Sequence, residues 1–304
     1  MQPDDVLDGH VHLYGAEAAA DPEGWGRLRG EPGWVSCVAP AGRRSIQGWS
    51  TPEELIERMD EAGIAACVLL GWYWQRQETC ELQNAWYLDW ARAYPGRLLP
   101  FASVQPAAGR RALESLERSL EAGMVGIGEL LPQAQGYALG DPWFTRVVEL
   151  AERRRLPITL HATDPQAGPA AGPATPLGPL VRLAAEHPQA TFILAHFGGG
   201  LAFSGAWARE PLPGNLYFDT AASPLLYDPG VYRRAVDCVG ADRILFGTDY
   251  PLLVYPGKTR VPGFGLFLKE ISGAGLDPAE SRQVLGQNMR RLLSQGLAPG
   301  GKPV

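Results

Sequence analysis

The segment "VLDGHVHLYG" sets His10 and His12 two residues apart in a chain of 304 residues that holds only five histidines. In an extended strand, residues i and i+2 project to the same side. The two imidazoles can therefore share one ion, and neutral imidazole is a common ligand for zinc and similar metals. Other ligand-capable residues close apolar runs of the same kind. They are Glu129 in "VGIGELLP", His161 in "PITLHAT", His196 in "TFILAHFGGG" and Asp249 in "RILFGTDYP". Random placement would scatter most histidines over loops and helix faces. Only His187, in "AAEHPQ", falls outside this pattern, and it reads as a structural residue at the negative end of a helix.

The elements that must carry these residues alternate along the whole chain. Short apolar runs predict eight strands: Val6–Leu13, Ala65–Leu70, Leu98–Val104, Val125–Leu130, Ile158–Ala162, Thr191–Ala195, Leu216–Thr220 and Ile244–Gly247. Their near-continuous hydrophobicity suits parallel strands buried on both faces. Between them lie helices with readable ends. "STPEELIERMDEAG" starts at Ser50 or Thr51 and stops at Gly63, "RRALESLERSLEAG" stops at Gly123, and "DPWFTRVVELAERRR" starts at Asp141. Further helices are predicted over Glu81–Tyr94, Gly178–His187 and Pro229–Val239, with an extra C-terminal one over Asp277–Gln295 packed outside the barrel.

Eight strands alternating with helices predict an α/β fold of the (β/α)8 TIM-barrel type, one domain over residues 1–304. No GxGxxG or GxxxxGK[ST] follows the first strand, which weakens the nucleotide-binding version of an open doubly wound sheet. Three stretches read as long loops on the catalytic face: Tyr14–Gln47, Gln166–Pro179 and Pro251–Gly265. The first carries Trp25, Trp34, Arg43 and Arg44 and is expected to help cover the site.

Composition narrows the function classes. A net charge of −6 and a pI near 5.5 argue against nucleic-acid partners. No run reaches the roughly 18 apolar residues of a membrane span. The acidic start at Asp4 and Asp5 and the sparse cysteines (Cys37, Cys67, Cys80 and Cys238, without CxxC spacing) fit a cytoplasmic protein with free thiols. A small-molecule substrate is the expected partner, and self-association stays open.

Taken in order, HxH on strand one, a histidine after strands five and six, and "GTDYP" after strand eight resemble the amidohydrolase superfamily. "AHFGG" and "GTDYP" resemble its amidohydrolase-related branch of metal-dependent decarboxylases, over Val6 to about Leu293. The resemblance implies that His10, His12, His161 and Asp249 bind a divalent metal, usually zinc, with His196 as a nearby acid/base or electrostatic residue. Such an ion, held by three imidazoles and a carboxylate, keeps residual positive charge and can bring the pKa of bound water down to about 7. Asp249 can accept that water's proton, and His196 can polarise a substrate oxygen or donate a proton. Many amidohydrolases bridge two metals through a carbamylated lysine on strand four. Lys258, Lys269 and Lys302, the only lysines, are all remote from that strand. Glu129 occupies a similar place, either as a metal ligand or as a contact to substrate or an arginine, so one ion or two remain open.

After strand two, "GWYWQRQETC" offers Trp72, Tyr73, Trp74 and Arg76; Trp72 and Trp74 are read as an aromatic wall for substrate. Arg43 and Arg44 could clamp a substrate carboxylate, and Cys80 is read as an ordinary thiol. The first functional expectation is hydrolysis of an ester, lactone or amide by metal-activated water, towards which Glu129 tilts the reading. The alternative is non-oxidative decarboxylation of an aromatic or unsaturated acid. The third is a non-catalytic metal-binding barrel.

Overall fold

Parallel strands pair in chain order: β1 (Val6–Val11), β2 (Ile64–Leu69), β3 (Leu98–Ala102), β4 (Gly126–Leu130), β5 (Pro157–Leu160), β6 (Thr191–Leu194), β7 (Leu216–Asp219) and β8 (Ile244–Leu245). The computed structural model describes residues 6–164, 175–204, 211–254 and 259–296. Nearly every strand residue is buried, as the unbroken apolar runs require when helices cover one face and the barrel interior the other. The eight strands form the expected (β/α)8 barrel. Among the described residues, no helix is long and apolar enough to cross a membrane.

Strand β8 has only two ladder residues, so closure depends on the chain beyond it. Gly9 N–H donates to the Phe246 carbonyl (2.7 Å), Asp249 N–H to the His10 carbonyl (2.9 Å) and His12 N–H to the Tyr250 carbonyl (2.7 Å). Asp8, fully buried, clamps the same seam. Its carboxylate accepts from the Thr248 hydroxyl (2.5 Å), the Thr248 N–H (3.1 Å) and the His10 N–H (2.9 Å). Burial pushes the Asp8 carboxyl up to about 7 against the pull of these bonds. Backbone pairing thus joins His10 to Asp249 across the first and last strands.

The helix signals behave as their chemistry requires. Thr51 and Glu54 form a reciprocal capping box on the helix Pro52–Ala62, which Gly63 ends in the left-handed conformation. Asp141 caps Pro142–Arg154 through the N–H groups of Trp143 and Phe144. The C-terminal helix is not continuous, because Gln283–Gln287 forms a π turn between Pro278–Arg282 and Asn288–Ser294. The wider turn frees the Val284 carbonyl to accept from Phe246 N–H (2.9 Å), just past β8. Asn288 also donates to the Ala241 and Ile244 carbonyls (both 2.8 Å), so this helix buttresses the seam.

The segment Tyr14–Gln47 is not plain loop. It folds into Ala16–Ala20, Pro22–Arg29 and Pro32–Val38, the second started by the Asp21 cap. Of the other two expected loops, residues 166–174 and 255–258 lie outside the described residues, while Leu177 and Gly265 already begin helices.

Candidate metal centre

His10, His12, Glu129, His161, His196 and Asp249 converge at the strand ends. His10 Nδ1–H donates to Asp219 Oδ2 (2.8 Å), His12 Nδ1–H to the Leu70 carbonyl (2.9 Å) and His196 Nδ1–H to the Ala221 carbonyl (3.1 Å). A carbonyl or ionised carboxylate can only accept, so these rings carry a proton on Nδ1 and turn Nε2 inward. The Nε2 atoms of His10 and His12 are 3.0 Å apart. Two lone pairs at that distance repel unless a proton or metal ion lies between them. Asp249 Oδ1 stands 3.8 Å and 3.5 Å from the same two nitrogens, and Glu129 Oε2 4.0 Å and 3.8 Å. Ligands about 2.0–2.2 Å from a tetrahedral ion lie about 3.3–3.6 Å from one another. The observed spacings bracket that range, and the donor set fits a divalent cation.

Glu129 divides the site. Its Oε1 faces His161 Nδ1 (2.9 Å) and His196 Nε2 (3.9 Å), and these two nitrogens are 3.3 Å apart. The structure therefore gathers His10, His12 and Glu129 into one candidate ligand group and Glu129, His161 and His196 into a second. Of the expected four ligands, His10, His12 and Asp249 lie together, while His161 is reached through Glu129. The other nitrogen of His161, Nε2, meets the Thr163 hydroxyl (3.1 Å).

Unusual backbone aims these side chains. Gly128 has φ +128°, and a Cβ there would lie 2.6 Å from the Thr159 carbonyl oxygen, so only glycine lets β4 pass β5 at this point and present Glu129. A Cβ on Gly247 would come within 2.9 Å of the His10 Cβ. His196 and Phe197 enter a left-handed turn (φ +58° and +54°) that Gly198–Gly200 continue, and Asp249 has φ +66°. Each such non-glycine residue costs about 1–2 kcal/mol; such strain gathers where surrounding structure enforces a functional geometry.

Asp219, absent from the sequence expectations, helps to enforce it. It is the last residue of β7 and fully buried, and its Oδ1 accepts the N–H groups of His196 (2.9 Å) and Ala221 (3.0 Å). The signal was present in "NLYFDT": a carboxylate ending an apolar strand, as at the other positions.

A cavity of about 500 Å³ opens over the site, with His12, Glu129, His161, His196 and Asp249 in its lining. Trp72 and Tyr73 form one wall, their rings stacked 4.1 Å apart at 26°. Arg43 and Arg44 also line it. Trp74, expected beside Trp72, does not. It is fully buried against Tyr14, Trp25 and Trp34, and its indole N–H donates to Gln83 Oε1 (2.6 Å). Trp25 and Trp34 likewise pack in this cluster and support the insertion instead of facing the cavity. The loop is pinned by buried amides of Gln105 and Gln135, both donating to the Trp74 carbonyl, which leaves only Trp72 and Tyr73 toward the site. Trp74→Ala is therefore expected to cost about 3–5 kcal/mol of stability in denaturant unfolding. Trp72→Ala should instead act mainly on substrate KM. Cys80 is buried and its thiol is pushed well above the usual range by burial, consistent with an inert core residue. His187 ends the helix Leu177–Glu186 and its Nδ1 lies 3.4 Å from Glu152, far from the cavity lining.

A family model described as amidohydrolase matches residues 7–295. The chain belongs to the amidohydrolase family. Among solved structures it is similar to 5-carboxyvanillate decarboxylase from Sphingomonas paucimobilis (15% identity, TM-score 0.69, 95% of this chain and 98% of that one). It is also similar to 2,6-dihydroxybenzoate decarboxylase from Rhizobium (21%, 0.64, 96% and 99%). A third likeness is to a dihydroxybenzoic acid decarboxylase from a Polaromonas species, solved with manganese and the inhibitor 2-nitroresorcinol (19%, 0.66, 94% and 97%). At these identities the likeness is one of fold.

In this amidohydrolase the charges around the site suit a cation. Burial opposes charge on His10, but adjacent Asp219, with Glu129 and Asp249 beyond, raises its pKa to about 10. Burial and then His10 push His12 down to about 3, and burial and then His161 push His196 down to about 4. Burial raises Asp249 to about 7, with Glu129 adding to it. Burial would raise Glu129 too, but His161, His10 and His196 outweigh it and hold the carboxyl well below its ordinary range. A proton on His10 thus stands in for the ion, and binding a metal must displace it. Zinc or manganese binding near pH 7.5 is expected to release about one proton, measured by calorimetry in buffers of different ionisation enthalpy. The sign for the metal-free protein follows from the raised pKa. His10 stabilises the fold fully below 6.5 and loses that contribution as the pH rises through about 10.

Proposed function

We propose that this amidohydrolase is a metal-dependent decarboxylase acting without redox change on an electron-rich aromatic carboxylic acid. The observation that carries the reading is the stacked Trp72–Tyr73 wall standing over the His/Glu/Asp floor in one cavity of about 500 Å³. A flat aromatic wall offers a planar ring its largest contact area. The names of the similar solved structures, decarboxylases of hydroxylated or methoxylated benzoates, support the same class. Glu129, which tilted the sequence reading toward hydrolysis, is 1% exposed, with each oxygen turned to a pair of imidazoles. It is committed to the rings around it, and the tilt toward hydrolysis goes with it.

His10, His12, Glu129 and Asp249 would hold the ion, with His161 and His196 beside it. Such an ion would supply positive charge toward an anionic substrate. Arg43 and Arg44 draw the anionic substrate into the mouth, and Trp72 and Tyr73 align its ring. Asp249, its side chain 17% exposed, is the open carboxyl of the floor and relays a proton from solvent to the ring carbon that bears the carboxylate. The bond to the carboxylate then breaks, its electron pair returns to the ring, and carbon dioxide leaves. Asp249 regains its proton from solvent, so the balance is one carboxylate and one proton in, one arene and one carbon dioxide out. His196, fixed through Ala221 and Asp219, keeps its Nε2 aimed at the floor.

The test is a panel of hydroxybenzoates and unsaturated acids beside esters, lactones and amides, with zinc- and manganese-loaded protein. Carbon dioxide and arene released in equal amounts would support the reading. Hydrolysis without carbon dioxide, or turnover of nothing in either metal form, would overturn it.

A further inference from the structure

We infer that Asp219 is the positioning residue that sets which nitrogen of His10 faces the metal, an inference that rests on the reading of His10 as a ligand. One buried carboxylate does two jobs here. Oδ1 accepts two backbone N–H groups, those of His196 and Ala221, at 2.9 Å and 3.0 Å. Oδ2 accepts the ring N–H of His10 at 2.8 Å. The first pair of bonds holds the left-handed turn that carries His196, whose own ring bonds back to Ala221 (3.1 Å). The third fixes the proton of His10 on Nδ1 and leaves the Nε2 lone pair facing His12, Asp249 and Glu129. Asp219 therefore ties the HxH strand to the turn after β6 through one group. Unlike His12, whose Nδ1 is held by a main-chain carbonyl, His10 depends on a side chain that mutation can alter.

The asymmetry of the bonds makes a specific prediction for Asp219→Asn, which keeps the shape. The amide has one acceptor oxygen, and two main-chain donors already require it. Its NH₂ group must then face His10 Nδ1, where two donors cannot meet. The ring answers by moving its proton to Nε2, which removes the lone pair from the site. Turning the amide over would instead set NH₂ against the two main-chain N–H groups.

Metal-free wild type and Asp219→Asn should be titrated with zinc and manganese against a chromophoric chelator, with thermal melts of both metal-free proteins. The expected result is 10- to 100-fold weaker metal binding, measured at a temperature below a metal-free melt that is lowered but still cooperative. Equal affinity in the two proteins would overturn the inference, as would affinity lost only because the metal-free variant unfolds. Nitrogen NMR of histidine-labelled, zinc-loaded wild type gives a second readout that needs no variant. A proton on His10 Nδ1 is expected, and coordination through Nδ1 would overturn the assignment. Wild type that binds neither metal would instead sink the ligand reading itself, so the two failures are distinguishable.

Discussion

Replacing His10 with alanine is expected to strip the bound metal and lower kcat/KM by at least about a thousandfold, the equivalent of about 4 kcal/mol. His10 is fully buried and turns its inward nitrogen to His12, Asp249 and Glu129 at 3.0, 3.8 and 4.0 Å, so no neighbour can replace it. Its loss also leaves Asp219 buried without the ring that neutralises it. Metal content by plasma mass spectrometry, alongside turnover, measures the effect. His187→Ala is the control. Its partly exposed pair with Glu152 is worth under about 1 kcal/mol, and both metal and activity should survive. A full metal complement in His10→Ala would remove His10 from the ligand set.

Glu129→Gln should have the second largest effect. The carboxylate lies between two pairs of imidazoles and, with Asp219 and Asp249, compensates the charge of His10. Taking the carboxylate's charge from a buried site should cost the metal-free protein about 3 kcal/mol in denaturant unfolding, because Asp219 and Asp249 remain to balance His10. Metal affinity should fall at least about tenfold. An unaltered unfolding midpoint and affinity would show that Glu129 only lines the cavity. His196→Ala then counts the ions. Metal kept with activity lost means one ion, and loss of half the metal means two.

Much of this was readable because the barrel imposes one rule on many positions. Each apolar run had to be a buried strand, and each strand's C-terminal end had to point at the same place. His10, His12, Glu129, His161, His196 and Asp249 follow from that rule, though they are scattered over 240 positions of sequence. Asp219 obeys it too, as the carboxylate that ends the apolar run "NLYFD". Asp8 shares the His10 face of β1 by the same two-residue period, but only the β1–β8 seam reveals the clamp on Thr248. Trp72, Tyr73 and Trp74 have no period to tell which of them faces the cavity. The choice is made by the buried Gln105 and Gln135, which follow β3 and β4 and grip the loop. The left-handed turn at His196 was hinted at by "GGG" alone, since its first two residues are not glycine. The short helices of the insertion had a signal in Asp21–Pro22, but their burial comes from an aromatic cluster assembled across distant loops.

The central claim is that the strand-end histidines and carboxylates form a metal centre. Anomalous scattering at the manganese or zinc edge, from crystals grown with that ion, tests it most directly. The expected result is a peak within about 2.3 Å of Nε2 of both His10 and His12, with Glu129 and Asp249 closing on it. A second peak beside His161 and His196 would set the count at two. No peak between His10 and His12, with the ion bound elsewhere or not at all, would contradict the account.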